Sequence, residues 1–175
     1  VMRVDDILLP GLHNRENYLT AIGLTEGIAD AEAVRETAFN FKGVAHRMQL
    51  VCEKKGVRFY DSSIDSTPSR SAVTVGCFGH PMTVICGGYD KNLEYDIFVK
   101  ALLKYADNVV ITGENADKIL AAFEKHGRGT LAIYREKDFY DAVRRASALG
   151  YINAAQSGQA TVLLSPASAS FDMFE

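Results

Sequence analysis

The chain has 175 residues, 47% of them hydrophobic and 23% charged, with a net charge of −3. That length holds one domain and part of another, with enough apolar residues for a sizeable core. The slightly acidic balance excludes a basic nucleic-acid or anionic-membrane binder, and no apolar run reaches the roughly 20 residues that a membrane span needs.

No signal-peptide pattern is present at the N-terminus, so a cytoplasmic protein is expected. Val1-Met2-Arg3-Val4-Asp5-Asp6 passes at once into the strand-like Ile7-Leu8-Leu9, as though the sequence were entered in mid-domain. Pro10-Gly11 makes a turn, and Asn14 is placed to cap a helix running to about Gly23. A second helix is expected from about Asp30, its cap, to Phe39, because Ala31, Val34, Ala38 and Phe41 recur at helical spacing. Phe41-Lys42-Gly43-Val44 breaks that period and sets a domain boundary near Lys42, giving residues 1–41 and 42–175. Met48 to Cys52 and Val57 to Tyr60 read as the strands of a hairpin that turns at Glu53-Lys54-Lys55-Gly56. The three cysteines show no CxxC spacing; Cys52 and Cys86 lie in apolar runs and are expected as buried free thiols.

Beyond Pro68, helices are expected at 68–78, 94–105, 114–126 and 137–148, alternating with strands at 82–87, 108–112, 130–134 and 161–165. Continuous apolar strands alternating with helices point to a doubly wound α/β domain, its mostly parallel sheet covered by helices on both faces. The end at Phe174-Glu175 reads as one turn into a further helix. Such sheets bind ligands beyond the carboxyl ends of their strands, which singles out loops 61–71, 87–91 and 165–172. Lys118, Glu124 and Lys125 read instead as solvated helix charge.

The first of these loops, from Asp61 to Ser71, holds two acids, six hydroxyls and a proline after an apolar strand. Gly87-Gly88-Tyr89-Asp90-Lys91 is either a glycine turn with a surface lysine or a backbone able to approach a ligand closely, with Lys91 as its cation. Ser165 to Asp172 leads into a helix, where Ser168 or Ser170 serves as a cap or as part of an anion site. His46-Arg47 is a solvated pair or a phosphate-reaching one. Asn14 and Asn17 lie three apart on one helical face, while His80 and His126 are isolated. Four histidines and three cysteines show no metal-ligand spacing.

In order, Gly11-Leu12-His13-Asn14-Arg15-Glu16-Asn17, Phe41-Lys42-Gly43-Val44-Ala45-His46-Arg47, Gly56 to Ser71, Gly87 to Lys91 and Leu164 to Asp172 resemble the C-terminal part of the Mur ligases. The resemblance spans virtually the whole chain. Its first two motifs are shared across the family, and the last selects the D-glutamate-adding member. The resemblance implies a three-domain enzyme of peptidoglycan synthesis with a uridine-nucleotide domain, a central ATPase and a C-terminal α/β domain. Such enzymes use ATP and Mg2+ to phosphorylate a carboxylate, here that of UDP-N-acetylmuramoyl-L-alanine. The incoming amino acid then attacks the acyl phosphate through a tetrahedral intermediate.

By the same resemblance, residues 1–41 are the tail of the central ATPase domain and 42–175 the amino-acid-binding domain. Asn14 and Asn17 lie near the ATP nucleoside, Arg47 reaches ATP phosphate with His46 beside it, and Asp61 binds the ribose. Ser66, Thr67, Lys91, Ser170 and Phe171 hold D-glutamate, Lys91 facing one carboxylate and Ser170 with the Phe171 backbone the other. A dicarboxylic amino acid needs at least one fixed cation and gains from a helix N-terminus.

Three departures stand out. Where the family reads Asn-Asp-Ser-Lys-Ala-Thr-Asn, this chain reads Asp61-Ser62-Ser63-Ile64-Asp65-Ser66-Thr67. An ungapped match puts Ser62 at the ribose acid, whereas a shift of one puts Asp61 there; Asp61 is favoured because a serine cannot accept two ribose hydroxyls. The lysine position is empty in either register, and Ile64 occupies it in the ungapped one. The chain also ends before the aromatic residue and Arg-Gly that follow the last motif in the family. No GxxxxGK[ST] occurs anywhere, so this stretch by itself is expected to be inactive. The competing readings are another Mur ligase, a folylpolyglutamate-synthase-like ligase, or a non-catalytic nucleotide-binding module. Against the last, Gly76, Gly79, Gly87 and Gly88 do not form a GxGxxG fingerprint.

Overall fold

The structure is a computed structural model that describes residues 3, 7–9 and 11–169, the side chain of His13 excepted. The chain divides into two compact units, Val1–Ala45 and His46–Glu175.

The first unit contains two helices, α1 (Leu12–Leu24) and α2 (Ala31–Asn40). Asn14 does not cap α1. Gly11, at φ 97°, is the N-cap residue, and its carbonyl accepts from Asn14 N at 3.2 Å and Arg15 N at 3.4 Å. Only a glycine adopts that backbone angle without strain, so the helix starts three residues early and buries Asn14 in its first turn. Asp30 caps α2 as expected, accepting from Glu32 N at 3.0 Å and Ala33 N at 2.8 Å. The Tyr18 hydroxyl donates to the Val34 carbonyl and ties the two helices together.

The second unit is a six-stranded sheet in the order β1-β2-β6-β3-β4-β5. Its strands are β1 (Gln49–Lys54), β2 (Val57–Asp61), β3 (Met82–Cys86), β4 (Asn108–Ile111), β5 (Ala132–Arg135) and β6 (Ala160–Leu164). Only β1 runs antiparallel, joined to β2 by Lys55 and Gly56 at φ 51° and 76°, the paired positive angles of a two-residue hairpin turn. Met48 stands outside the hairpin, at φ 46°. Because β1 is an edge strand with every residue exposed, Cys52 is exposed and the expected buried thiol is wrong there. Cys86, central in β3, is buried.

The four helices are α3 (Pro68–Val75), α4 (Asp96–Tyr105), α5 (Ala116–His126) and α6 (Phe139–Ser157). Alternate strand residues feed two cores, as the pleat requires. Met82, Val84 and Cys86 of β3 join Phe98, Leu102, Ile119 and Phe123 on the face covered by α4 and α5. Ile85 and Val110 join Ala142, Ala146 and Ala154 of α6 on the other.

In the second unit expected and observed strands agree to within two residues at each end, whereas Ile7–Leu9 forms no strand, and α6 runs nine residues past the expected stop at 148. Its buried stripe is Ala142, Ala146, Gly150 and Ala154, spaced four apart. A Cβ on Gly150 would lie 2.6 Å from Val162 Cγ2, so this glycine allows close packing rather than ending the helix. The true stop is Gly158, left-handed at φ 82°.

Candidate functional site

Strands β2, β6 and β3 are neighbours, so the three loops read as ligand-facing emerge side by side. β6 arrives from α6 on one face, whereas β3 leads to α4 on the other, the kind of switch point where open α/β sheets bind ligands. Backbone bonds stitch the loops together: Ser62 N to Leu164 O at 2.8 Å, Ser165 N to Ile85 O at 3.0 Å, Gly87 N to Pro166 O at 2.9 Å and Tyr89 N to Ala169 O at 2.8 Å.

Within the first loop, groups that read alike in sequence separate into two sets. Ser62 is fully buried, and its hydroxyl accepts from Met48 N at 3.2 Å. Asp65 is also buried; its Oδ2 accepts from Ser165 Oγ at 2.9 Å, and Ser165 Oγ lies 2.8 Å from the buried Ser71 Oγ. These side chains lock loop 61–71 to loop 165–169. Asp61 remains at the surface, half-buried, and Ile64 is 39% exposed. Of the two residues considered for the acid, Ser62 turns inward and Asp61 does not.

His46 and Asp61, both expected beside ATP, meet directly: His46 Nδ1 lies 2.8 Å from Asp61 Oδ2, while Asp61 Oδ1 accepts from Ser63 N at 2.8 Å. Burial pushes the Asp61 carboxyl up, but the bonds from His46 and Ser63 outweigh it and hold it below its ordinary value. The bend at His46 and Met48, both at positive φ, folds this segment over the loop, and Ile64 N donates to His46 O at 3.2 Å. Arg47 is exposed beside it. Ser66 and Thr67 are half-buried where α3 begins; Thr67 is the N-cap residue, but its side chain makes no cap bond.

Neighbouring backbone, in the second loop, accounts for both glycines. A Cβ on Gly87 would sit 1.8 Å from Thr112 O, and one on Gly88 2.5 Å from Ala169 O. Asn115, fully buried, accepts from Gly88 N through Oδ1 at 2.8 Å and donates through Nδ2 to Tyr95 Oη at 2.6 Å. Lys91 is exposed on this loop.

Lys118, its side chain 40% exposed, is also paired. Its ammonium pairs with Asp90 at 2.7 Å and donates to Asn92 Oδ1 at 2.7 Å. Sequence reading missed Asn115, Lys118 and Tyr95; the only trace was an Asn and a Lys one turn apart at the start of helix 114–126.

Ser168, in the third loop, is buried and donates to Pro166 O at 3.4 Å; the helix expected after it lies outside the described residues. Ser170 and Phe171, expected to hold D-glutamate, lie outside the described residues. Asn14 and Asn17 belong to the first unit, Asn14 buried and Asn17 exposed. The two histidines without a sequence signal are both paired: His80 Nδ1 lies 3.0 Å from Asp107 Oδ2, and His126 Nε2 2.5 Å from Asp96 Oδ1. Among the described residues no three His, Cys, Asp or Glu converge as metal ligands, and no helix is long and apolar enough to cross a membrane.

No family model matches the chain. It is 37% identical over 177 residues to the UDP-N-acetylmuramoylalanine–D-glutamate ligase of Caldanaerobacter subterraneus subsp. tengcongensis, covering 100% of this chain and 38% of the relative. The ligase of the same name from Clostridium novyi is 38% identical over 177 residues, covering 99% and 37%. The chain therefore spans under 40% of the length of these curated relatives. Among solved structures, Mycobacterium tuberculosis folylpolyglutamate synthase complexed with ADP matches with a TM-score of 0.68 at 18% identity, over 93% of this chain and 39% of that one. UDP-N-acetylmuramate-alanine ligase MurC from Thermotoga maritima matches with a TM-score of 0.61 at 18% identity, over 92% and 36%. Identities that low establish a shared fold. The sequence match extends further: this chain belongs to the Mur ligase family and corresponds to the C-terminal part of its UDP-N-acetylmuramoylalanine–D-glutamate ligases.

Proposed function

We propose that this chain is the amino-acid-binding part of an ATP-dependent cytoplasmic ligase that joins D-glutamate to UDP-N-acetylmuramoyl-L-alanine in peptidoglycan synthesis. The observation that carries this reading is the end-to-end match with D-glutamate ligases at 37–38% identity. ATP, when bound, supplies the phosphoryl group that converts the sugar-linked carboxylate into an acyl phosphate, and Mg2+ offsets the charge. The chain has neither a GxxxxGK[ST] loop nor, among its described residues, a cluster of metal ligands, so both are assigned to polypeptide outside it.

This chain's own residues bind and orient. Lys91, an exposed residue, offers its ammonium to a carboxylate of D-glutamate, with Ser66 and Thr67 on the adjoining loop and Ser170 and Phe171 beyond β6 in sequence. Asp61, kept ionised by His46 and Ser63, accepts from the ATP ribose, and Arg47 reaches its phosphates. On the first unit, Asn14 and Asn17 approach the nucleoside. That unit, the tail of a central ATPase domain, exposes Leu12, Leu19, Leu24 and Ile28 by 65–86%, the face that the rest of such a domain would cover.

The test uses the polypeptide extended by the N-terminal part its relatives carry. Replacing Lys91 by alanine is expected to raise the Michaelis constant for D-glutamate by about a hundredfold, in line with loss of a charge-assisted contact. Unchanged D-glutamate kinetics would remove Lys91 from the site. The folylpolyglutamate-synthase fold match supports a second reading, glutamate addition to another acceptor, which a screen of D- against L-glutamate separates.

A further inference from the structure

We propose that Lys118 is a positioning residue for the amino-acid site, holding the β3–α4 loop so that Lys91 presents its ammonium to the incoming carboxylate. The proposal rests on the assignment of Lys91 above.

Residues 87–95 connect β3 to α4 with no strand or helix of their own beyond a bridge from Tyr89 to Ala169. Such a segment holds a fixed shape only where it is tied down. Its first half is tied by backbone: Gly88 donates to Asn115 Oδ1 and accepts from Asn115 N at 3.1 Å, and Tyr89 N reaches Ala169 O. After Tyr89 the anchor is a side chain. Lys118 Nζ lies 2.7 Å from Asp90 Oδ2, 3.0 Å from Asp90 Oδ1 and 2.7 Å from Asn92 Oδ1. These are the residues immediately before and after Lys91.

Three acceptor oxygens match the three protons of an ammonium, so Lys118 is fully engaged in holding the loop. Asn92 N also donates to Asp90 Oδ1 at 2.8 Å, closing a tight turn in which Asn92 takes φ 55°. Both the turn and its clamp centre on the position of Lys91. The clamp also cancels the Asp90 charge. Without Lys118, a bare carboxylate would adjoin the residue assigned to bind a dicarboxylate, and like charges at short range repel.

An isolated surface ion pair contributes little to stability and usually nothing to function; the two roles differ in what they alter. In the N-terminally extended polypeptide, Lys118→Met is expected to raise the D-glutamate Michaelis constant about tenfold while leaving that for ATP within about twofold. Lys118→Arg, which keeps the charge and the donors, is expected to recover most of the loss. Thermal midpoints of all variants are measured alongside. Lys118→Met with D-glutamate kinetics unchanged, while Lys91→Ala is impaired, overturns the positioning role alone. Equal losses for D-glutamate and ATP with a lowered thermal midpoint also overturn it, as general damage. If Lys91→Ala has no effect, the site assignment fails instead.

Discussion

Replacing Ser165 by alanine tests whether the loop arrangement is held by the buried contact between Asp65 and Ser165. The hydroxyl donates to a carboxylate that is 5% exposed, at 2.9 Å, and lies 2.8 Å from Ser71 Oγ. Removing it withdraws the donor from a buried charged acceptor, a loss of about 1.5–3 kcal/mol. The methyl left behind fills nearly the same space, so little is added for a cavity. For a unit the size of His46–Glu175, a loss of about 2 kcal/mol lowers the thermal midpoint by about 6 °C. Urea unfolding followed by far-UV circular dichroism gives the free energy; the midpoint should fall while the slope stays constant. A double-mutant cycle with Asp65→Ala should return a coupling of about 1–2 kcal/mol. A Ser165→Ala loss below about 0.5 kcal/mol, or additive single changes, would refute the lock.

Gly150→Ala gains about 1 kcal/mol of helix propensity but forces a methyl to 2.6 Å from Val162 Cγ2, an overpacking cost of about 1–3 kcal/mol. The net expectation is destabilisation of about 1 kcal/mol in urea titrations, against stabilisation if α6 stood free of the sheet. His80 is held above its ordinary imidazole value by its bond to Asp107, burial opposing. Because the folded-state value is raised, its stabilisation is complete below about pH 6.5 and disappears as pH rises through the folded value. His80→Gln should therefore lower the urea midpoint at pH 5.5 and leave it unchanged at pH 8. A thiol reagent should label exposed Cys52 in the native protein, Cys77 slowly because burial and Asp65 push its thiol up to about 11, and buried Cys86 only on unfolding.

The sheet was legible because Val84 to Cys86, Val109 to Ile111 and Val162 to Leu164 are continuous apolar runs, as a strand covered on both faces requires. That placed the three loops at adjacent strand ends. It could not show which of their hydroxyls and acids turn inward: Ser62 and Asp65 belong to a loop read as ligand-facing, yet their partners are Met48 and Ser165, the latter a hundred positions away from Asp65. Lys118 misled for the same reason, since its acceptors lie 26 and 28 residues back along the chain. Cys52 misled because an apolar run does not reveal whether its strand will be central or an edge. The expected end of α6 at 148 fell short because the valines that Gly150 accommodates come from two other elements.

The central claim is tested most directly by supplying each amino acid in turn to the N-terminally extended polypeptide with ATP, Mg2+ and UDP-N-acetylmuramoyl-L-alanine, and measuring phosphate release together with amide product. D-glutamate should support turnover, L-glutamate should not, and Lys91→Ala should lose the response at D-glutamate concentrations that saturate the parent. Turnover with another amino acid, or with D-glutamate independently of Lys91, would contradict the account.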